Sequence, residues 1–350
     1  MKSPFEWDPY SDQPRVIFDK AYKRSMRARH WPDFLKMAAI SAVVLPAAMV
    51  RMALIKPRRN TANLRDFIGI GVGLDKGPEQ FDLIDELGVN HVLLRIPLWD
   101  IGNVKAYYSF AQEFHRRKKT VLINILQDRE HIENRVQLTN DMKMIFSTFG
   151  DVSQEYQIGN AINRVKWGFF SVNEYLQYFE TVQMLRDNSY LSLKLLGPSV
   201  IDFEYHFACR ALFNKFNIQF DRISALLYVD RMGAPENKQY GVFDAALKMR
   251  LLGSLARMSP KVCNKGIYIT EVNWPLSGTA PYAPTSEKEC VSEEDYASYM
   301  QSYLTIAAQS GCIERVYWHQ LIAAGYGLVD NRQNNLRKTP AFSVLRQILG

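Results

Sequence analysis

Carboxylate, amide and aromatic side chains recur directly after short apolar runs along this 350-residue chain. Glu271, Asn273 and Trp274 follow one such run, and Trp318 and His319 end and follow the next. Aromatic faces can stack on the C–H surface of a sugar, while amides, carboxylates and guanidinium groups can bind its hydroxyl groups. Two carboxyl groups can also supply the nucleophile or base and the acid of glycosidic-bond hydrolysis. The pattern predicts a carbohydrate site.

The candidate residues form two groups. The catalytic candidates are the carboxylates Glu271, Asp230 and Glu204, with Asp202 as a further acidic neighbour. The substrate-binding candidates are the polar and aromatic residues that close or follow the apolar runs: Arg95, Trp99, Asn160, Asn163, Trp167, Tyr228, Asn273, Trp274, Trp318 and His319.

Other chemistries lack their motifs. The six histidines show no H-x-x-H spacing and the four cysteines form no C-x-x-C pair, so we expect no metal site. No G-x-S-x-G elbow is present, which argues against a serine hydrolase. Gly69, Gly71 and Gly73 have G-x-G-x-G spacing, unlike the dinucleotide fingerprint, and we expect no cofactor.

The elements that must position these residues alternate regularly after residue 60. Eight apolar runs are separated by amphipathic stretches of helical periodicity. The predicted strands are 67–72, 91–96, 120–126, 155–158, 193–196, 223–228, 266–270 and 315–318. Eight such units in about 290 residues predict an α/β fold, a (β/α)8 TIM barrel over residues 61–350, with an open doubly wound sheet as the alternative. The candidate residues follow seven of the eight predicted strands, where the active sites of such barrels gather.

Several of these segments resemble the clan A glycoside hydrolases. The segment from Tyr268 to Pro275 resembles the seventh-strand nucleophile motif of that clan, with Glu271 in the place of the nucleophile. Arg95, the segment Gln157-Ile-Gly-Asn160 and Trp318 also match the clan's pattern. So do Gly325–Asp330 and Pro340–Phe342 near the C-terminus. The resemblance covers roughly residues 66–350. It implies a sugar-binding barrel in which Asn160 holds a sugar hydroxyl group.

The chain departs from the clan's pattern at Ala161, where the family has its acid/base glutamate. Alanine cannot transfer a proton, and loss of acid assistance typically forfeits about a hundredfold to ten-thousandfold in rate. Two hypotheses follow. The protein is a glycoside hydrolase acting on a cell-envelope or extracellular polysaccharide or glycoconjugate, with Glu271 as nucleophile or base. Alternatively, it is an inactive, carbohydrate-binding relative that serves lipopolysaccharide or exopolysaccharide production.

The positive charge of the chain is concentrated in an N-terminal segment, residues 1–60. This segment holds 12 Lys and Arg against 5 Asp and Glu, whereas the remaining chain holds 31 of each. A nucleic-acid-binding domain would spread basic residues over its folded face, so we expect no nucleic-acid partner.

Residues 37–55 of this segment form a nearly continuous apolar run with basic flanks. Three interpretations remain open: a helix that spans a membrane, an interfacial helix on anionic lipid, or a helix packed on the main domain. The first two make membrane lipid a partner of residues 37–55 and predict a membrane-associated protein, at the bacterial inner membrane. If the helix spans, its flanking charges favour a periplasmic barrel.

Overall fold

The computed structural model describes residues 5–55, 63–333 and 335–350. Two short antiparallel strands, β1 (Trp7–Asp8) and β2 (Gln13–Pro14), form an N-terminal hairpin. The next eight strands are all parallel and close into one barrel. They are β3 (Ile68–Val72), β4 (His91–Pro97), β5 (Thr120–Leu126), β6 (Glu155–Ile158), β7 (Lys194–Ile201), β8 (Arg222–Leu226), β9 (Ile267–Glu271) and β10 (Ile313–Trp318). The predicted (β/α)8 barrel is confirmed, and the open sheet is excluded because β10 pairs with β3.

The helices are α1 (Lys20–Ala28), α2 (Trp31–Met52), α3 (Leu64–Phe67), α4 (Glu79–Leu87), α5 (Val104–Arg116), α6 (Arg129–Glu133), α7 (Arg135–Phe149), α8 (Val172–Ser189), α9 (Tyr205–Leu212), α10 (Ala245–Met258), α11 (Glu293–Gln309) and α12 (Pro340–Leu349). A small C-terminal ribbon pairs β11 (Val329–Asp330) with β12 (Arg337–Lys338). The predicted boundary between residues 60 and 61 lies outside the described residues.

The barrel has two apolar layers because its strands are buried on both faces. Inward-pointing Leu93, Leu122, Leu196, Tyr268 and Tyr317 form a separate cluster that fills the interior. Neighbouring strand residues point outward and join the large core between strands and helices. The interior is thus a packed plug of side chains, and a ligand can enter only at an end of the barrel.

The apolar N-terminal helix α2 packs along α9 and α10 on the outside of the barrel. A buried ion pair joins Asp33 to Arg210 with an Nε–Oδ1 distance of 2.7 Å. Farther along, the Ser254 hydroxyl donates to the carbonyl of Ala48 at 2.8 Å. Length and composition would also allow this helix to cross a membrane. One face of the helix therefore contacts the barrel, and the opposite face exposes apolar side chains such as Val43 and Val50.

Candidate active site

Glu271 ends β9 at the carboxyl end of the barrel. The pairing of β8 with β9 shifts register between Ala225 and Leu226, so that Leu226 pairs with Glu271. Such an irregularity re-aims the side chain beside it. The Glu271 Oε1 atom accepts a hydrogen bond of 2.7 Å from the hydroxyl of Tyr228, two residues beyond the end of β8. As a whole residue, Glu271 is half-buried.

The surroundings of Glu271 favour its ionised form. Burial alone would raise the pKa of this carboxyl group. The neighbouring His319 and Arg95, the hydrogen bond from Tyr228 and the nearby amide of Asn160 together outweigh burial, and the net pKa lies below its usual value. Glu271 is therefore a carboxylate at neutral pH, as a nucleophile or general base must be.

Arg95 supplies the positive charge of this region. Its Nη1 atom lies 3.4 Å from Nε2 of His319, and its Nε atom has no hydrogen-bond partner among the described residues. Burial lowers the pKa of His319 to about 4, so its imidazole is neutral at neutral pH. We call Glu271, Arg95 and His319 the charged wall of the pocket.

A buried amide network orients Asn160 at the end of β6. Its Oδ1 atom accepts hydrogen bonds of 3.1 Å from both Asn124 and Gln157. This arrangement turns Nδ2 of Asn160 away from the network, and that atom has no partner among the described residues. A buried donor without a partner costs about 1–3 kcal/mol. The structure tolerates this cost where a ligand hydroxyl group could accept the bond.

The neighbouring residue, Ala161, is fully buried in an apolar environment. It packs with Leu126, Trp167 and Leu226, and Tyr228 completes the cluster. We call Ala161, Leu126, Trp167 and Leu226 the apolar wall. The backbone of Ala161 has a φ of +45°, in the left-handed region that is uncommon for a residue with a side chain. No proton donor is present at this position.

Both walls lie at the carboxyl end of the strands, where Arg95 of the charged wall and Leu126 of the apolar wall line one cavity. A cavity of about 280 Å³ lies beside Arg95 and is lined by Trp99, Asp100, Asp12 and Gln320 among others. A larger cavity of about 1350 Å³ opens at the opposite, amino-terminal end, where it is lined by Lys119, Glu155 and Asp221 among others. We assign the site to the smaller cavity because the ionised glutamate and the unpaired donors face that end.

The comparisons with known proteins agree with this geometry. The chain has the fold of clan A glycoside hydrolases. A family 1 β-glucosidase from Thermotoga maritima superposes with a TM-score of 0.60 at 10% identity, covering 83% of this chain and 99% of the other. The family 5 enzyme ZgEngAGH5_4, solved with cellotriose, gives 0.57 at 14% identity and covers 82% and 96%. A family 39 enzyme from Xanthomonas axonopodis pv. citri gives 0.56 at 11% identity and covers 84% and 67%. No family model and no curated protein matches the sequence.

Two of the other carboxylate candidates, Glu204 and Asp202, form ion pairs with Arg164. Glu204 accepts from Asn163 Nδ2 at 2.8 Å and pairs with Arg164 at 2.7 Å. The same Arg164 pairs with Asp202 at 2.5 Å. These contacts assign Asn163 to joining two loops, since its remaining polar groups bond the backbone of Ile201.

Asp230 begins a 3-10 turn after β8. Burial lowers the pKa of Lys248, and Asp230 is the first of the carboxylates that oppose this shift. The Asp230 carboxylate therefore lies within electrostatic range of Lys248. Among the described residues, no hydrogen bond joins Asp230 to Glu271.

Two predicted sugar-stacking residues have a different place. Trp274 and Trp318 are fully buried and stack on each other at 5.8 Å, between the barrel and α11. Trp318 donates to the Tyr296 hydroxyl on α11 at 2.6 Å. Because strand residues alternate in direction, Tyr317 points into the barrel and Trp318 points out of it. Both tryptophans therefore belong to the core rather than to the pocket.

The remaining predicted residues lie at or near the pocket. Trp99 is partly exposed at the rim, and Asn273 donates to the His319 carbonyl at 2.6 Å, which fixes the backbone of the charged wall. Trp167 faces Arg95, whose guanidinium carbon lies 5.6 Å from the ring centre. Within the described residues, no group of three or more His, Cys, Asp or Glu side chains could hold a metal ion.

Sequence reasoning missed a set of pocket residues that come from the N-terminal hairpin and from loops. They are Trp7, Asp12, Gln13, Lys76, Lys166, Gln320 and Tyr326. Lys166 and Gln320 follow the fourth and eighth predicted strands, next to the candidates Trp167 and His319, but their residue types alone did not distinguish them as site residues. The hairpin gave no signal, because it precedes the repeating pattern by more than fifty residues.

Proposed function

We propose that this protein is a glycoside hydrolase acting on a cell-envelope or extracellular polysaccharide or glycoconjugate, with Glu271 as nucleophile or base. The observation that carries the proposal is the placement of an ionised, partly exposed glutamate at the carboxyl ends of the strands. The Tyr228 hydroxyl would orient the carboxylate, and the positive charge of Arg95 would keep it ionised. Unpaired donors on Asn160 and Arg95 would bind sugar hydroxyl groups.

Because residue 161 is an alanine, the proton donor would have to be a carboxyl group at another position. Among the acidic neighbours, Asp202 has the most suitable environment. Burial raises its pKa above the usual value even though Arg164 opposes the shift. Its charge acts on Tyr228 together with that of Glu271, which supports a location of Asp202 near the same hydroxyl group. Glu204 and Asp230 are the second and third choices. Glu204 is held by both Asn163 and Arg164, and Asp230 interacts electrostatically with Lys248.

The test is hydrolysis of envelope polysaccharide by the full chain and its Glu271→Gln variant. We expect product release to fall by about a thousandfold or more, since the amide can neither attack nor accept a proton. Asp202→Asn should lower the rate by about a hundredfold. Glu180→Gln on α8 is the matched control. The free energy of unfolding of every variant should stay within about 0.5 kcal/mol of the wild-type value. Unchanged turnover in Glu271→Gln would remove this residue from the mechanism.

The second candidate is a carbohydrate-binding protein without catalysis, serving lipopolysaccharide or exopolysaccharide production. Ala161 and its apolar neighbours favour it. It predicts saturable glycan binding by the wild-type chain and no new reducing ends after prolonged incubation. Reducing ends that appear with wild type and not with Glu271→Gln would exclude it.

We further propose that α2 attaches the barrel to a membrane surface as an interfacial helix. Its buried face bonds the barrel through Asp33 and the Ala48 carbonyl, and these contacts would be lost if the helix left the barrel to span. Its opposite face exposes apolar side chains, with Val43 73% and Val50 75% exposed. Basic residues of α1 lie in a surface depression beside it: Lys20, Lys23, Arg24 and Arg27. Apolar contact combined with cationic side chains is typical of helices that bind anionic lipid.

Vesicle sedimentation tests this attachment. The wild-type chain should bind vesicles containing phosphatidylglycerol more tightly than vesicles of phosphatidylcholine alone. The double variant Val43→Asp, Val50→Asp should lose binding by at least about tenfold. Val136→Asp is the control, because Val136 is 72% exposed on α7, a helix on another part of the barrel surface. Retention of native protein in membranes after a carbonate wash would favour the spanning helix instead.

A further inference from the structure

The N-terminal hairpin lies over one half of the barrel mouth. Its Trp7 ring packs against Trp99 at 5.2 Å and Trp167 at 6.1 Å, and the Arg95 guanidinium lies 5.8 Å from the Trp7 ring centre. These partners lie at the carboxyl ends of β4 and β6. The hairpin therefore occupies space directly beside the charged wall, where a ligand of the pocket would have to bind.

The hairpin inserts one carboxylate, that of Asp12, among groups that belong to the barrel. The Asp12 Oδ2 atom lies 3.0 Å from Nζ of Lys76 and accepts hydrogen bonds from Gln320 Nε2 at 2.7 Å and the Tyr326 hydroxyl at 3.2 Å. The backbone carbonyl of Asp12 accepts from Arg95 Nη2 at 3.1 Å. Both Asp12 and Lys76 are largely buried, with 14% and 12% of their side chains exposed.

The barrel groups form an anion-binding arrangement without the hairpin. Arg95 lies on β4, Lys76 follows β3, and Gln320 and Tyr326 follow β10, so all four belong to the barrel and its loops rather than to the hairpin. Burial would raise the pKa of Asp12, but Lys76 and Arg95 outweigh burial and keep it ionised. Removal of Asp12 would take away the buried carboxylate that compensates Lys76 and Arg95, and would leave Lys76 paired with the exposed Asp75. Another anion in the same place would restore the balance.

The hairpin itself is a weak structure. Each of its strands has two residues, and an isolated two-stranded hairpin is marginally stable in water. Its turn carries Tyr10, which is 49% exposed. A ligand that reproduces the contacts of Asp12 would replace its ion pair and hydrogen bonds, so that displacement of the segment would cost mainly the packing of Trp7 on Trp99 and Trp167.

We propose that the pocket binds a glycan with a carboxylate substituent, and that Asp12 holds the place of that carboxylate until the glycan displaces the hairpin. The inference rests on the proposed function, and it names the substrate class as acidic sugars of the uronic acid type. Hexuronate carboxylates match the acceptor geometry of an aspartate side chain. Phosphate and sulfate groups share the charge but have tetrahedral oxygens.

The experiment compares uronic-acid oligosaccharides with their carboxyl-reduced, neutral counterparts and with sulfated oligosaccharides of the same length. Binding is measured by calorimetry on the full chain carrying Glu271→Gln, which prevents turnover. Asp12→Asn keeps the shape of the hairpin and removes its charge. Glu6→Gln is the matched control, because this exposed carboxylate of the same segment pairs only loosely with Arg15 at 3.9 Å.

We expect the uronic-acid oligosaccharide to bind at least about tenfold more tightly than its reduced counterpart. Asp12→Asn should tighten that binding a further several-fold because the internal competitor is weakened. Lys76→Met should weaken it about tenfold, and Lys76→Arg should restore most of the loss. Backbone amides of residues 7–14 should exchange faster with deuterium when the acidic glycan is bound.

Three results would overturn the proposal. Equal binding of neutral and acidic glycans would remove the charge selectivity, and would leave cleavage by Glu271 intact as a separate question. Preference for the sulfated glycan would replace the carboxylate with a tetrahedral anion. Binding with unchanged protection of residues 7–14 would show that the hairpin is a fixed wall. If none of the glycans binds wild type, Asp12→Asn or Glu6→Gln, both this inference and the proposed carbohydrate function fail.

Discussion

The charged wall and the apolar wall of the pocket meet at Tyr228 but are stabilised in opposite ways. On the charged wall, Glu271 is surrounded by donors and by the Arg95 guanidinium, and polar groups without partners remain available. On the apolar wall, Ala161 contacts carbon atoms of Leu126, Trp167 and Leu226. Tyr228 therefore joins a region stabilised by electrostatic interactions, through its hydroxyl group, to a region stabilised by apolar packing, through its ring.

This contrast separates a position that suits a carboxylate from one that does not. The carboxylate of Glu271 is stabilised by its neighbours, whereas Ala161 packs in an apolar cluster that includes Trp167. Under the proposed hydrolase function, the proton donor would therefore be another carboxyl group, and Asp202 is the one that we propose.

Trp167→Ala should have the largest effect on this arrangement. Its large ring fills the apolar wall and contacts both Trp7 and Arg95, so truncation should lower the free energy of unfolding by about 3–5 kcal/mol. Urea unfolding followed by circular dichroism measures it. Trp99→Ala is the control, because Trp99 is 44% exposed and should cost about 1 kcal/mol or less. Equal losses for the two variants would mean that the apolar wall is not a packed unit.

Ala161→Glu tests the apolar wall by placing a carboxyl group within it. The new carboxyl group would be buried without a partner, and the left-handed backbone disfavours a long side chain, so we expect a loss of about 2–3 kcal/mol. Ala161→Gly should change stability by less than about 1 kcal/mol, since glycine accepts a φ of +45° and loses only one methyl group. If Ala161→Glu were as stable as wild type, the environment at this position would have to be polar.

The sequence was sufficient for the fold and for the charged wall. Eight buried strands leave a clear periodic signal, and Glu271 and Arg95 are placed by the strands that carry them. It could not assign the directions of Trp274 and Trp318, because strands buried on both faces show no polar alternation to mark inside and outside. It also could not place the hairpin. Two strands of two residues have no periodicity, and their contacts join Asp12 to Gln320 across 308 positions.

The pH dependence of stability should report on His319 in the charged wall. Burial lowers its folded-state pKa to about 4, whereas an unfolded histidine binds a proton near pH 6.5. Its contribution to stability is therefore fully present above pH 6.5 and is lost as the pH falls toward 4. We expect a loss of about 1.5 kcal/mol between pH 6.5 and 5 from this residue.

Comparison of wild type with His319→Gln isolates that contribution. Between pH 6.5 and 5, the free energy of unfolding of the variant should fall by about 1.5 kcal/mol less than that of wild type. His91, whose pKa is also lowered to about 4 by burial, lies at the other end of the barrel and should give its share in both proteins. Identical pH profiles for wild type and His319→Gln would show that the charged wall admits a proton at His319 near pH 6.5.

Tyr228→Phe should have the smallest effect and should test the junction of the two walls. The change removes the 2.7 Å hydrogen bond to Glu271 and leaves the ring in the apolar cluster. The pKa of Glu271 should rise, because the bond favours the ionised form, and the acid limb of the pH–rate profile should move to higher pH. Turnover at neutral pH should fall about fivefold, corresponding to roughly 1 kcal/mol, while the unfolding midpoint should hardly change.

Tyr205→Phe is the control, because its hydroxyl bonds the Lys248 carbonyl at 2.9 Å, away from Glu271. A loss of stability without a shift of the acid limb would assign Tyr228 to packing alone, and the two walls would then be independent.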